Sequence, residues 1–574
     1  MLTGCTPWPP DDAARYRREG YWRDEPLDAL LRHAARAHPE RTALVAPGVR
    51  LRYAELDARA DDLARGLLAL GLGPGDRAVV HLPNRPEFVL ATFALLRIGA
   101  LPVYALPAHR EQEIVHLCAV SGAAAYLVPD RHLGHDHRAL ARTVAERLAA
   151  RGGTAPRHVL VAGDAQEFTA LDEVERTGRA LRADRPPTGR AAALATDPPP
   201  APAADDVALF LLSGGTTGLP KLIPRTHDDY AYNARAAAEV CGFDSTTVYL
   251  AALPAAHNFA LACPGVLGTL AVGGTVVLPA DPGPGEALRL VAEEGVTATA
   301  LVPSLLALWL EAQSALPEDL SSLRLVQVGG ARPDAATAAR VGPVLGGTLQ
   351  QVFGMAEGLL CMTRPDDPPD LVLACQGRPV SPADEVRVVD AEDRDVPPGT
   401  VGALLARGPY TLRGYYRMPE HDALAFTGGW YRTGDLVRAL PGGNLVVEGR
   451  VKELINRAGD KVSAKEVEDQ LVAHPAIRQA AVVAEPDPLL GERVAAFVVL
   501  ESGAVCPTAA EAGVFLRGRG LAAYKAPDRL QPVGSLPLTA IGKVDRKALL
   551  GASTGAAPDA VPAPDSPAPS AQPG

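Results

Sequence analysis

The run Ser213-Gly214-Gly215-Thr216-Thr217-Gly218-Leu219-Pro220-Lys221 has the composition of an anion cradle. Its glycines leave the backbone free to turn N–H groups onto phosphate oxygens. Ser213, Thr216 and Thr217 add hydroxyl donors, and Lys221 adds a charge. The chain has only seven lysines against 49 arginines, so a lysine closing this loop stands out. The bland alternative is a Ser/Gly linker, but the apolar stretch ending at Leu211-Leu212 reads as a strand feeding the loop. A P-loop of the NTPase kind needs Gly, Lys and Ser/Thr in succession. Here Leu219-Pro220 separate Gly218 from Lys221, and that reading fails.

Four further clusters follow in order: Gln351-Val352-Phe353-Gly354-Met355-Ala356-Glu357, Tyr431-Arg432-Thr433-Gly434-Asp435, Glu448-Gly449-Arg450-Val451-Lys452, and Gly542-Lys543. With the loop they resemble the adenylate-forming superfamily of acyl-CoA ligases, luciferases and peptide-synthetase adenylation domains. The segments TPWPPD, LIPRTHDDY, LPAAHNFALACPGVLG, LQQVFGMAEGL and RGLAAYKAPDR are similar to the stand-alone aryl-acid adenylating enzymes of siderophore pathways. The resemblance spans residues 3–550.

That resemblance implies ATP and Mg2+ as cofactors and a role for each matching position. Ser213, Gly214, Gly215, Thr216, Thr217, Gly218 and Lys221 would hold phosphate; Gln351, Val352, Phe353 and Gly354 would surround the nucleotide, with Phe353 on the adenine face. Glu357 would help hold Mg2+, a hard cation suited to carboxylate and phosphate oxygens. Asp435 would accept from the ribose hydroxyls, since a carboxylate takes two donors, and Arg450 would approach ribose or phosphate. Lys543 would carry adenylation, its ammonium stabilising charge that builds as a carboxylate attacks the α-phosphate. Lys452 falls where the superfamily hinges, so that Lys543 would leave after adenylation and the face carrying Gly459 would help form a thiol tunnel.

The acid is read from a second set. The resemblance places His257, Asn258, Phe259, Cys263, Gly329, Gly330 and Leu360 around it. His257 would help close the pocket, and Asn258 would bond a ring 2-hydroxyl. Phe259 stands where Tyr is common. Dihydroxybenzoate enzymes tend to have Ser and Val where this chain has Cys263 and Leu360. A thiol is a weak donor that behaves as a small hydrophobe, and Leu fills more space than Val. Salicylate is therefore the expected acid, with 2,3-dihydroxybenzoate or a methylated or nitrogen-containing salicylate analogue as alternatives. An apolar wall rejects an added hydroxyl by only about a hundredfold.

The acyl group is expected to pass to the phosphopantetheine thiol of a separate carrier protein, because residues after 552 show no folded pattern; an aryl-CoA ligase using free coenzyme A is the rival. A catalytically dead nucleotide-binding regulator is a third reading, opposed by the presence of Lys543, Glu357 and Asp435.

These residues need a scaffold. Apolar Leu56, Leu63, Leu67 and Leu70 predict a helix over Ala54–Leu70; strand, helix and strand follow at Ala78–Leu82, Glu87–Ile98 and Leu101–Leu106. Further on, a helix is expected near Tyr230–Cys241 and strands at Val248–Ala252 and Thr275–Leu278. The fold class is α/β: a large N-terminal domain of helix-covered sheets with a β-rich subdomain over Ala403–Val447, and a small mobile α+β C-terminal domain. The expected divisions are an adenylation core over 1–449, a hinge at 450–452, a lid domain over 453–552 and a disordered tail over 553–574; Ala183–Asp205, rich in Pro and Ala, reads as a surface loop. Ser463-Ala464-Lys465-Glu466 predicts a capping box opening a helix to Ala473, followed by strands at Gln479–Ala484 and Val494–Leu500 and a helix at Ala509–Arg517.

A chain of 574 residues exceeds one compact core. The net charge of -11 argues against a nucleic-acid partner. No apolar run suggests a membrane span, and the N-terminus lacks a secretory pattern. Seven cysteines without a CxxC pair suggest neither a disulfide framework nor zinc. A cytoplasmic location is the resulting expectation.

Overall fold

The computed structural model describes residues 2–182, 201–213, 219–281, 283–451, 454–457, 460–487, 490–519, 521, 523–539 and 542–553. Gly214, Gly215, Thr216, Thr217, Gly218, Lys452, Gly459, residues 183–200 of the expected loop and the tail from 554 lie outside them. The chain divides into two compact units, one formed by Met1–Val451 with Ala540–Lys543, the other by Lys452–Thr539 with Val544–Gly574.

The first unit is built on three sheets. A seven-stranded sheet runs, edge to edge, Leu222–Thr226, Val207–Leu212, Leu101–Tyr104, Arg77–Val80, Ala125–Pro129, His158–Ala162 and Thr169–Ala170. All its pairings are parallel except the first. A nine-stranded sheet runs Arg378–Pro379, Leu360–Met362, Thr348–Gly354, Leu325–Gly329, Ala298–Leu301, Val248–Leu250, Thr275–Val277, Thr42–Ala46 and Val49–Arg52. Its interior is parallel and its edges antiparallel. Leu101–Tyr104, Ala125–Pro129 and Leu325–Gly329 are buried at every position. Such unbroken apolar strands require cover on both faces, which the intervening helices supply.

The expected elements form, with ends displaced by up to three residues. The first helix spans Tyr53–Ala69 and buries Leu56, Leu63 and Leu67. Its start is held by the Glu55 carboxylate, which accepts from the Arg52 backbone N–H. The third sheet departs more. It combines Val401–Arg407, Phe426–Thr427, Trp430–Ala439 and Leu445–Arg450 with Glu385–Val389, which lies before the expected start at Ala403. Glu385-Val386-Arg387-Val388 alternates polar and apolar residues, the period of a strand, so this element is present in the sequence pattern although it precedes the expected bounds.

The second unit is an α+β fold. Ile477–Asp487 and Gly491–Leu500 pair antiparallel, with Leu454–Arg457 and Arg529–Pro532 also pairing Gly491–Leu500. Helices Ala464–Val472 and Ala509–Gly518 contribute Val467, Leu471, Ala512 and Leu516 to its core. Only half of the expected capping box forms: Ser463 Oγ accepts from Glu466 N at 3.3 Å, but the Glu466 carboxylate takes Lys525 Nζ at 2.7 Å. A charge-assisted bond outcompetes the return to the cap backbone. Among the described residues no helix is long and apolar enough to cross a membrane.

Candidate active site

Val248–Leu250, Ala298–Leu301, Leu325–Gly329 and Thr348–Gly354 run parallel, so their carboxyl ends share one edge of the nine-stranded sheet. His257–Cys263, Gly330 and Gly354–Glu357 follow three of these ends in sequence. The crevice outside the carboxyl ends is where open α/β sheets bind ligands.

His257 caps the helix Asn258–Ala262, its Nδ1 accepting from Phe259 N at 3.3 Å. That bond leaves Nε2 as the hydrogen-bearing nitrogen. Burial, with a smaller contribution from the Lys543 charge, pushes the imidazole down to about 4, so it is neutral near pH 7. The next side chain, Asn258, is buried and bonded at both ends. Tyr230 Oη donates to its Oδ1 at 2.8 Å, and its Nδ2 lies 3.5 Å from Cys263 Sγ. The Cys263 thiol donates to the Asn258 carbonyl at 3.3 Å, and burial pushes it up to about 12. It is an uncharged thiol. Gly329 allows the Phe259 ring to approach: a Cβ there would sit 3.0 Å from two ring carbons and 2.9 Å from the Val352 carbonyl. Leu360 is buried, with its N–H donating to Tyr410 Oη at 3.2 Å, and its Cδ2 would meet a Cβ on Gly354 at 2.5 Å.

The nucleotide-side residues group around two carboxylates. Glu357 is buried, and Tyr415 Oη donates to its Oε1 at 2.9 Å. The same phenol lies 3.0 Å from Tyr431 Oη, and Lys221 Nζ sits 5.1 Å from the Tyr415 ring centroid. One tyrosine thus ties the lysine ending the phosphate loop to the acid of the second motif. Burial raises the Glu357 carboxyl, against the Tyr415 bond and the charges of Arg450 and Lys221. Gly358, at φ +108°, makes the turn that holds Glu357; a Cβ there would stand 2.3 Å from the Tyr410 carbonyl. Among the described residues no group of three His, Cys, Asp or Glu could enclose a metal. One buried carboxylate fits Mg2+ of the kind that takes most of its ligands from phosphates and water.

Asp435 is buried on Trp430–Ala439, opposite Arg450 in register. Arg450 Nε donates to Oδ1 at 2.8 Å, while Oδ2 is buried and has no hydrogen-bond partner among the described residues. Burial raises this carboxyl, opposed chiefly by Arg450. A buried acceptor of this kind suits a donor from a ligand. Ser213 and Lys221 close the base of the loop: Ser213 N donates to the Lys221 carbonyl and Lys221 N to Ser213 Oγ, both at 3.0 Å. They end and begin the antiparallel strands Val207–Leu212 and Leu222–Thr226.

Val352 is buried and Phe353 half-buried on Thr348–Gly354. The Gln351 amide is spent inside the fold, donating to the Val372 carbonyl at 2.6 Å and accepting from Gln376 at 2.9 Å. Its backbone is engaged as well, the N–H donating to Thr363 Oγ1 at 3.0 Å and the carbonyl accepting from Thr363 N at 3.1 Å, so both side chain and backbone of Gln351 are held inside the fold. Gly542 and Lys543 group with the first unit. Ser304 Oγ donates to the Gly542 carbonyl at 3.0 Å, and a Cβ on Gly330 would lie 3.5 Å from Lys543 Cε. The Lys543 charge acts on both His257 and Asp435.

Sequence reading did not single out Arg225, Tyr230, Tyr410 or Tyr415, which hold the first set in place. Arg225 is fully buried, paired to Asp229 at 2.8 Å, donating to the Ala356 carbonyl at 3.1 Å and lying 4.7 Å over the Tyr230 ring. The signal available was the charged run Arg225-Thr226-His227-Asp228-Asp229 leading into an apolar helix, a pattern that implies buried polar pairing.

Comparison with known proteins shows the family. The chain matches the AMP-binding enzyme family over residues 31–416 and the AMP-binding enzyme C-terminal domain over 466–543. It is 50% identical to a 2,3-dihydroxybenzoate-AMP ligase of Bacillus subtilis, across 96% of this chain and 97% of the relative. It is 53% identical to a salicylyl-CoA synthase / salicylate adenylyltransferase of Streptomyces sp, across 95% and 97%. The apo structure of Mycobacterium smegmatis MbtA superposes with a TM-score of 0.71 at 48% identity, covering 95% of this chain and 98% of that one.

Proposed function

This chain belongs to the AMP-binding enzyme family, and from that premise we propose that it activates salicylate with ATP and passes the salicyl group to the phosphopantetheine thiol of a separate carrier protein. In the first step a carboxylate oxygen of the acid bonds to the α-phosphorus of ATP, and the bond to the β-bridging oxygen breaks. The products are salicyl-AMP and pyrophosphate. In the second, the carrier thiolate attacks the acyl carbonyl and AMP leaves with the bonding electron pair.

In this reading the orphaned Asp435 Oδ2 accepts from the ribose and Arg450 fixes the other oxygen. Lys221, with Ser213, Gly214, Gly215, Thr216, Thr217 and Gly218, grips the phosphates, and Lys543 orients the attacking carboxylate. Mg2+, held by Glu357 and phosphate oxygens, would supply neutralisation of the triphosphate charge. Neutral His257 offers a hydrogen-bearing Nε2 beside the acid. Lys452 serves as the hinge of a mobile C-terminal domain, and the work is done in the cytoplasm as a step of siderophore or related biosynthesis.

The observation that carries salicylate is the 3.5 Å contact of Asn258 Nδ2 with Cys263 Sγ. The group beside the presumed 2-hydroxyl donor is a buried thiol, a poor partner for a 3-hydroxyl. Carboxylate-dependent ATP–pyrophosphate exchange across a panel of aryl acids tests it; salicylate should lead, and preference for 2,3-dihydroxybenzoate would overturn the assignment. The Streptomyces relative, a salicylyl-CoA synthase, favours a second reading in which free CoA is the acceptor. Single-turnover transfer from labelled salicyl-AMP to a carrier or to CoA separates the two.

A further inference from the structure

Tyr230 lies in the first turn of the helix His227–Val240 and is wholly buried. A buried phenol hydrogen needs an acceptor, and here it is Asn258 Oδ1 at 2.8 Å. The ring is pinned from above by Arg225, itself held by Asp229 and the Ala356 carbonyl. An asparagine amide can ordinarily present either end. Here the donating Tyr230 consumes the oxygen, and the NH2 end turns toward Cys263 Sγ, a weak acceptor 3.5 Å away. Cys263 in turn commits its thiol hydrogen to the Asn258 carbonyl at 3.3 Å. The amide has one orientation, with its donors facing Cys263.

We propose that Tyr230 is a positioning residue that locks Asn258 as a donor and thereby selects aryl acids whose ortho substituent accepts a hydrogen bond. The proposal rests on the reading of Asn258 as an aryl-pocket residue. In 2-hydroxybenzoate the phenolic hydrogen is drawn to the adjacent carboxylate, which leaves the oxygen lone pairs outward for Asn258 Nδ2. In 2-aminobenzoate one N–H is drawn inward and the second points outward, while the nitrogen lone pair is delocalised into the ring. Donor then meets donor, and such a mismatch leaves buried polar groups unpaired.

The test is Tyr230→Phe in the full chain, which keeps the ring beneath Arg225 and removes only the hydroxyl. Carboxylate-dependent ATP–pyrophosphate exchange is measured with 2-hydroxybenzoate and 2-aminobenzoate. The wild type should favour the hydroxy acid. In the variant the freed amide can turn, and the ratio of the two kcat/KM values should fall at least tenfold. Asn258→Asp, which cannot donate from that position, should move the ratio the same way and serves if Tyr230→Phe does not fold. A folded Tyr230→Phe that leaves the ratio unchanged, whatever Asn258→Asp does, or a wild type indifferent to the two acids, overturns the role of Tyr230. No wild-type exchange with any aryl acid overturns the functional reading beneath it.

Discussion

Arg450 Nε donates to Asp435 Oδ1 at 2.8 Å across paired strands, while Asp435 Oδ2 is buried without a partner among the described residues. The salt bridge holds one oxygen and aims the other. If the second oxygen accepts a ribose hydroxyl, Asp435→Ala should raise the KM for ATP by about tenfold to a hundredfold, the worth of a charge-assisted bond of ~1.5–3 kcal/mol. The wild type should discriminate against 2′,3′-dideoxy-ATP and the variant should not. Equal discrimination by both proteins would remove Asp435 from ribose binding.

Lys543→Ala should lower pyrophosphate exchange by about 10²–10³-fold, the usual cost of removing one preorganised charge-stabilising donor. Circular dichroism and the melting temperature should stay as in the wild type, because Lys543 is half-buried and outside the sheets. Unchanged exchange would take it out of the adenylation step.

Cys263→Ser should raise kcat/KM for 2,3-dihydroxybenzoate relative to salicylate by on the order of tenfold, with Leu360→Val adding space in the same direction. Both residues are buried in one apolar cluster, so the substitutions change polarity and volume without opening the fold to water. A ratio that does not move would refute the pocket assignment.

Asp384 gives a pH prediction. Its carboxyl is buried beside the Tyr410 hydroxyl, and burial pushes it up from 3.8 to about 7. Its folded form therefore keeps a proton that the unfolded chain has released. This stabilisation is fully present below about pH 4 and is lost as the pH rises through 7, at no more than ~1.4 kcal/mol per pH unit. Asp384→Asn should flatten that part of the melting-temperature profile between pH 5 and 8. A variant with the wild-type slope would show that Asp384 titrates normally.

Local chemistry was legible in the sequence. The loop from Ser213 to Lys221, the acids Glu357 and Asp435, and the strand-like and helical runs are written in residue type and short spacing, since backbone freedom, charge and hydrophobic period are local properties. Glu385–Val389 carries the strand signal too, alternating Glu, Val, Arg and Val, yet a run so short does not say that it joins Val401–Arg407, a pairing that only the fold decides. Gln351 shows the limit from the other side: it stands in a nucleotide motif, yet its amide is consumed by Val372 and Gln376, far along the chain. Only the tertiary structure decided which way Asn258 faces, which oxygen of Asp435 is left over, and that Tyr415 joins Glu357 to the end of the phosphate loop. Those facts depend on hydrogen-bond partners 15 to 58 residues apart in sequence, brought together by packing, and no local pattern encodes which partner a buried polar atom will find.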